Sequence, residues 1–186
     1  KLSDGPIQPD DEIDEQGTVI IAGMGRFGQV VNRLLTSLGH KTIVLDSHTV
    51  TVERMRRFGI KGYYGAVDRP ELLEAAGLAE AKAVVLAIDD PETVTRMTEY
   101  IARRHPGVKI IARAHDRHHV YELYAAGTQH SVREVFDSAV RAGKYALEAL
   151  EYSEQEIDSI TSTFVEHDRE MLAELAEMWD PNVPAH

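Results

Sequence analysis

Cysteine is absent from all 186 residues, which removes disulfides, thiolate nucleophiles and every cysteine-bearing metal motif as explanations of what the chain does. Also missing is any apolar run approaching the about 18 residues that cross a bilayer, and the first residues do not pair a basic stretch with an apolar one in the manner of a leader. These absences predict a soluble, cytoplasmic chain. Aromatic residues make up only 6%, and 20 Lys plus Arg face 31 acids, for a formal net charge of -11. A chain short of positive charge, with no basic stripe interleaved with aromatics, is a poor match for nucleic acid, because phosphate neutralisation supplies most of that affinity. No nucleic-acid partner is expected.

The charge deficit is local. Residues 1–17 hold six acids and one lysine, and residues 151–180 hold ten acids and one arginine, leaving the stretch between them with a surplus of three positive charges. That middle would accept small anions, although two solvated acidic ends on a neutral domain would give the same tally. Hydrophobic residues at 43% and charged residues at 27% suit one domain with a sizeable core and an appendage.

Short Val- and Ile-rich runs at 18–23, 41–46, 60–65, 83–89 and 108–113 read as strands buried on both faces of a parallel sheet. Helical patterns at 26–38, 49–58, 70–76, 91–104 and 117–126 lie between or after them. Pro70 and Pro91 stand where a first helical turn tolerates proline, and Gly39, Gly59 and Gly77 stand where helices should stop. The alternation predicts an α/β fold, a Rossmann-like doubly wound parallel sheet. Residues 1–17 read as an acidic linker, 18–132 as the nucleotide-binding domain and 133–186 as a helical arm and tail, with helices over 133–150 and 153–179. Ser153 and Glu156 are spaced as a capping box.

The sequence VIIAGMGRFGQ places Gly23, Gly25 and Gly28 between the first strand and the first helix, and Asp46 ends the second strand 18 residues after Gly28. This is the dinucleotide-loop pattern, in which an acid about 20 residues on meets the ribose. Gly23 permits the tight turn, Gly25 lets backbone approach a phosphate, and Gly28 lets the helix pack on the strand, with helix N-terminal amides facing the anion. Ser47 and His48 follow Asp46 and bring no arginine for a 2'-phosphate, favouring NAD or AMP over NADP. On the first helix, Arg33 lies two turns beyond Arg26 on an outward face, with Phe27, Val31 and Leu34 turned inward.

Hydride transfer needs a substrate region and an acid or base presented to the nicotinamide, and only a short acidic arm follows the sheet. The histidines of HDRHH (115–119) read as an exposed polar turn, and Asp90 before Pro91 reads as a helix N-cap in preference to half of an acid pair with Asp89.

GMGRFGQ at 23–29, RFG at 57–59, AIDDPE at 87–92, IIARAHD at 110–116 and VREVFDSAVRAGKYALEAL at 132–150 together resemble the cytosolic regulatory domain of the glutathione-gated potassium-proton antiporters, the Kef family. The similarity is collinear from about residue 18 to about 168. Such domains are similar to the regulators of potassium conductance (RCK or KTN domains), single Rossmann-like folds that bind adenine nucleotides without reacting them.

The resemblance implies a regulator and not an enzyme, on the cytoplasmic face of the membrane. It would be joined to an antiporter membrane domain of the same polypeptide, closed by glutathione and opened by glutathione S-conjugates. AMP or NAD(H) would bind as a regulatory ligand, with Gly23, Gly25, Arg26, Phe27, Gly28, Asp46, Asp68, Asp89 and Arg113 expected around it. Glutathione would meet Arg33, Phe58 and Arg133, with Gln29 near the same subunit interface of a homodimer. Arginine forks suit its carboxylates. In the register of a family Asn stands Asp168, which would repel a ligand carboxylate and receive an ammonium. The resemblance also allows an accessory flavoprotein subunit. Two rival readings remain: a regulator of another potassium transporter that senses nucleotide alone, and a minimal NAD-dependent oxidoreductase.

Overall fold

The computed structural model describes residues 11–14 and 17–178. Most of the linker and the end of the acidic tail therefore lie outside the described residues. Six parallel strands, β1 (Val19–Ala22), β2 (Thr42–Asp46), β3 (Gly62–Tyr64), β4 (Ala83–Leu86), β5 (Lys109–Ala114) and β6 (His130–Arg133), form one sheet in the order β3-β2-β1-β4-β5-β6. This is the Rossmann-like order, with the chain reversing direction across the sheet between β1 and β4. The central strand β1 pairs in register with both neighbours, Val19 standing opposite Thr42 and Ala83.

Helices α1 (Arg26–Ser37), α2 (Thr49–Arg57), α3 (Pro70–Ala75), α4 (Pro91–Arg104) and α5 (Arg117–Ala126) connect the strands. Leu72 and Leu73 of α3, Val94, Met97 and Ile101 of α4 and Val120 and Leu123 of α5 close the main core over Ile20, Leu45, Leu86 and Ile110, while α1 and α2 pack in smaller apolar clusters of their own. Asp90 caps α4 by accepting from the Thr93 amide at 2.9 Å, and Asp116 caps α5 by accepting from the His119 amide at 2.8 Å. Each satisfies an amide that the first helical turn leaves without a partner.

Three sequence expectations change. The sheet has a sixth strand, because His130–Arg133 pairs along β5 although Val132 is its one large apolar residue. Arg133 therefore ends a strand, and the helix after it, α6 (Phe136–Ala149), starts three residues later. On α1, Leu34 is 64% exposed and Leu35 packs inward instead. Nor is HDRHH wholly an exposed turn: His119 is buried, its Nδ1 accepting from the His115 amide at 3.0 Å and its Nε2 3.0 Å from the Thr95 hydroxyl.

The arm consists of α6 and α7 (Glu154–Met178). The capping box forms at its turn: the Ser153 amide donates to Glu156 Oε2 at 2.8 Å and the Glu156 amide to Ser153 Oγ at 3.3 Å. One face of α7 lies against α5, with Leu172 reaching the main core. The other face, with α6, leaves an apolar groove lined by Phe136, Gly143, Leu147, Leu150, Ile160 and Phe164. Leu150 and Phe164 are 69% and 57% exposed there.

At the opposite edge, residues 11–14 of the expected linker dock on β3. Asp11 accepts from the Tyr64 amide at 2.6 Å and from Arg56 at 2.7 Å. Asp14 accepts from the Tyr63 hydroxyl at 2.6 Å and pairs with Lys61 at 2.9 Å, contacts that hold its pKa down at about 2.

Candidate nucleotide and ligand sites

The loop between β1 and α1 is shaped by close backbone contacts. Gly23 has φ +97°, in the left-handed region, and a Cβ there would stand 2.4 Å from the Ala87 carbonyl oxygen. A Cβ on Gly28 would stand 2.1 Å from the Gly23 carbonyl oxygen, so α1 could not lie this close to the strand with any larger residue. Gly25, the residue before α1, meets nothing within 4 Å, which leaves its backbone open to an anion at the helix N-terminus.

Asp46 ends β2 almost fully buried, and both its oxygens are engaged. Oδ2 accepts from the Met24 amide at 2.7 Å, and Oδ1 from the His48 amide at 2.8 Å with His48 Nδ1 3.1 Å away. The carboxylate thus ties the glycine loop to the start of α2 while it borders a cavity of about 440 Å³. Gly23, Gly25, Asp46 and Asp89 line that cavity together with His48, Thr51 and Val67. It lies beyond the carboxyl ends of the strands near the point of reversal, where such sheets bind ligands.

Other expected nucleotide residues fall differently. The Phe27 ring packs on the apolar cluster of Ile21, Val85 and Ala87 and does not line the cavity. Asp68 is exposed and outside the lining, its place taken by Val67. Arg113 is largely buried and committed to carboxylates, with Nη2 2.9 Å from Asp89 and Nε 3.4 Å from Glu134. Arg26 is 96% exposed, and its guanidinium lies 3.8 Å from the other oxygen of Glu134.

A second pocket, about 210 Å³, lies where the arm meets α5 and β6, lined by Tyr124, Ser131, Arg133, Phe136, Asp168 and Leu172 among others. Arg133 donates to Asp168, and its guanidinium carbon stands 3.9 Å above the Phe136 ring. The Phe136 ring in turn stacks on Phe164 of α7, with centroids 6.2 Å apart. Arg117 approaches Asp168 at 3.8 Å, yet its Nε and Nη2 are buried without a hydrogen-bond partner, as is the Ser131 hydroxyl. Buried donors of this kind call for an acceptor, and a carboxylate supplies one. The structure brings Arg133 and Asp168 together here. Arg33 is exposed on α1, Phe58 is 79% exposed at the end of α2, and neither lines this pocket. Gln29, also exposed, donates from its side chain to the Met24 carbonyl at 3.2 Å.

Sequence reasoning did not single out Arg117, Ser131 or Glu134. Arg117 lies within the HDRHH stretch, and Glu134 belongs to no motif of known spacing. Among the described residues, no group of three or more His, Asp or Glu is placed to hold a metal ion, and no helix is long and apolar enough to cross a membrane.

The fold and its glycine loop define a Rossmann-like domain. Its profile is that of the TrkA-N domain over residues 19–134, followed by the potassium efflux system KefB C-terminal domain over 138–183. The chain belongs to the family of Kef C-terminal domains. It is 45% identical over 168 residues to the glutathione-regulated potassium-efflux system protein KefC of Cronobacter sakazakii, covering 90% of this chain and 27% of that protein. The chain thus spans about a quarter of that relative's length. The Kef C-terminal domain of Shewanella denitrificans in its AMP-bound form superimposes with a TM-score of 0.80 at 40% identity, covering 89% of this chain and all of that one. The GsuK channel bound to NAD shares the fold, with a TM-score of 0.62 at 20% identity over 75% of this chain and 25% of that one.

Proposed function

We propose that this chain is the ligand-sensing domain of a potassium-proton antiporter, on the cytoplasmic face of the membrane and joined to the transport domain in one polypeptide. AMP or NAD(H) is held over the glycine loop without being reacted, and glutathione or its S-conjugates are read at the interface of a homodimer. The arm pocket carries this reading: Arg133 and Asp168 form a pair beside the Ser131 hydroxyl, which is buried without a hydrogen-bond partner, and Arg117 approaches the same carboxylate at 3.8 Å. An arginine-carboxylate pair is complementary to the zwitterionic amino-acid head of glutathione, the ligand carboxylate going to arginine and the ammonium to Asp168.

The exposed groove between α6 and α7 supports the dimer, since an apolar face of this kind needs a cover. The exposed Arg33 and Phe58 would then belong to the partner side of the ligand site. An S-substituent near Phe58 gates only if it binds the open arrangement better than the closed one, because equal affinity shifts no population. Calorimetry with glutathione and a bulky S-conjugate tests the reading. Both should bind saturably, and Arg133→Ala should weaken both. Binding that ignores Arg133→Ala would place the ligand elsewhere.

A further inference from the structure

We propose that Arg117 is a positioning residue of the arm pocket: it receives Asp168 when an incoming carboxylate takes Arg133, so that the exchange leaves no buried charge unmatched. This rests on the reading that the amino-acid head of glutathione enters that pocket, and it adds a residue through which the head is read.

Three elements meet at this carboxylate. Arg133 ends β6, Arg117 opens α5, and Asp168 comes from α7, which packs on α5. The Asp168 side chain is 14% exposed and that of Arg133 18%, so each is the counter-charge that lets the other be buried. A ligand carboxylate that displaced Asp168 from Arg133 would strand it, and a stranded buried charge opposes binding strongly. The pair alone would therefore resist the anion that the pocket is read as accepting.

Arg117 removes that obstacle. Its Nε and Nη2 form the side-on edge of the guanidinium, an edge that grips a carboxylate with two parallel hydrogen bonds. Both atoms are buried without a hydrogen-bond partner, and Nη2 stands 3.8 Å from Asp168 Oδ1. The carboxylate is thus divided between two arginines: Oδ2 accepts from Arg133, and Oδ1 faces a fork that is about 1 Å beyond hydrogen-bond reach. A shift of that size closes the fork on Asp168 and releases Oδ2. Arg133 then takes the ligand carboxylate, Oδ2 takes the ligand ammonium, and every charge keeps a partner. The other charged residues of the lining, Asp137 and Arg169, are exposed and of opposite sign.

The test is calorimetry of glutathione on this chain with Arg117→Gln, Arg117→Lys, Asp168→Asn and the double variant carrying Arg117→Gln and Asp168→Asn. Arg117→Gln should weaken glutathione roughly tenfold. Arg117→Lys keeps the charge without the fork and should recover part of that loss, and it carries the comparison if Arg117→Gln disturbs folding. In the Asp168→Asn background the effect of Arg117→Gln should vanish, because Arg117 acts only through that carboxylate. The ligand-free melting temperature should barely move, since Nε and Nη2 make no hydrogen bond there and the Arg117 side chain is 41% exposed. Glutathione binding that falls in Arg133→Ala yet ignores both Arg117 variants, or an equal loss with and without Asp168, would overturn the exchange and leave the pocket reading standing. Failure of glutathione to bind, or binding indifferent to Arg133→Ala, would overturn both.

Discussion

Arg133 and Glu134 are consecutive residues whose side chains pair in different parts of the fold. Arg133 pairs with Asp168 on α7 and sits over the Phe136 ring, whereas Glu134 pairs with Arg113 of β5 and approaches Arg26 at the glycine loop. The end of β6 therefore touches the candidate nucleotide edge through one side chain and the arm pocket through the next.

Asp46 is the carboxylate proposed to meet the ribose. Asp46→Ala removes an acceptor from a ligand and also frees the buried Met24 amide and the His48 amide. Hydrogen bonds to a charged group are worth about 1.5–3 kcal/mol, so AMP affinity should fall by roughly 10- to 150-fold in calorimetry. The melting temperature should fall as well. Asp46→Asn, which keeps one acceptor oxygen, should lose less on both counts.

Asp168→Asn tests how the arm pocket reads its ligand. The variant breaks a largely buried ion pair with Arg133 and should lower the melting temperature, because a buried guanidinium then lacks its counter-charge. Glutathione should bind more weakly, since Asp168 is assigned the ligand ammonium. A gain in glutathione affinity would mean that the carboxylate competes with the ligand for Arg133.

The groove predicts an assembly. Replacing Phe164, 57% exposed and stacked on Phe136, by Glu should turn a dimer into a monomer in sedimentation equilibrium without unfolding the sheet. An unchanged mass would remove the groove from the interface.

Acid should weaken the fold in two windows. Burial pushes the His119 pKa below its ordinary value, and protonating Nδ1 would break its bond from the His115 amide. The unfolded chain takes up that proton near pH 6.5, so stability should decline as pH falls below about 6.5, and His119→Gln should flatten that slope. Hydrogen bonds from Tyr63 and Lys61 lower the Asp14 pKa from 3.8 to about 2. Its contribution should be full above pH 3.8, disappear as pH approaches about 2, and be missing in Asp14→Asn. Chemical denaturation across pH measures both.

Much of the fold was legible because its signals are local. Proline at the first turns of α3 and α4, and glycine just beyond α1, α2 and the turn after α3, mark boundaries that the structure keeps within a residue or two. The strand β6 was not legible, because HSVR has no apolar run and its conformation comes from pairing with β5, a partner distant in sequence. Leu34 and Leu35 exchange roles because helical spacing fixes a face only to within about a residue. At the site, the glycine loop and Asp46 form a contiguous pattern with a known spacing. The commitment of Arg113 to Asp89 and Glu134, and the approach of Arg117 to Asp168, join residues from separate elements, and no local pattern announces such contacts.

The most direct measurement of the sensing claim is calorimetry on this chain with AMP and an S-conjugate of glutathione, each titrated alone and then in the presence of the other. Two ligands at two sites should both bind saturably, with Asp46→Ala weakening the AMP isotherm alone and Arg133→Ala weakening the conjugate isotherm alone. Mutual exclusion of the two ligands, or loss of both isotherms in either variant with the fold intact, would contradict a domain that holds its nucleotide at one place and reads its signal at another.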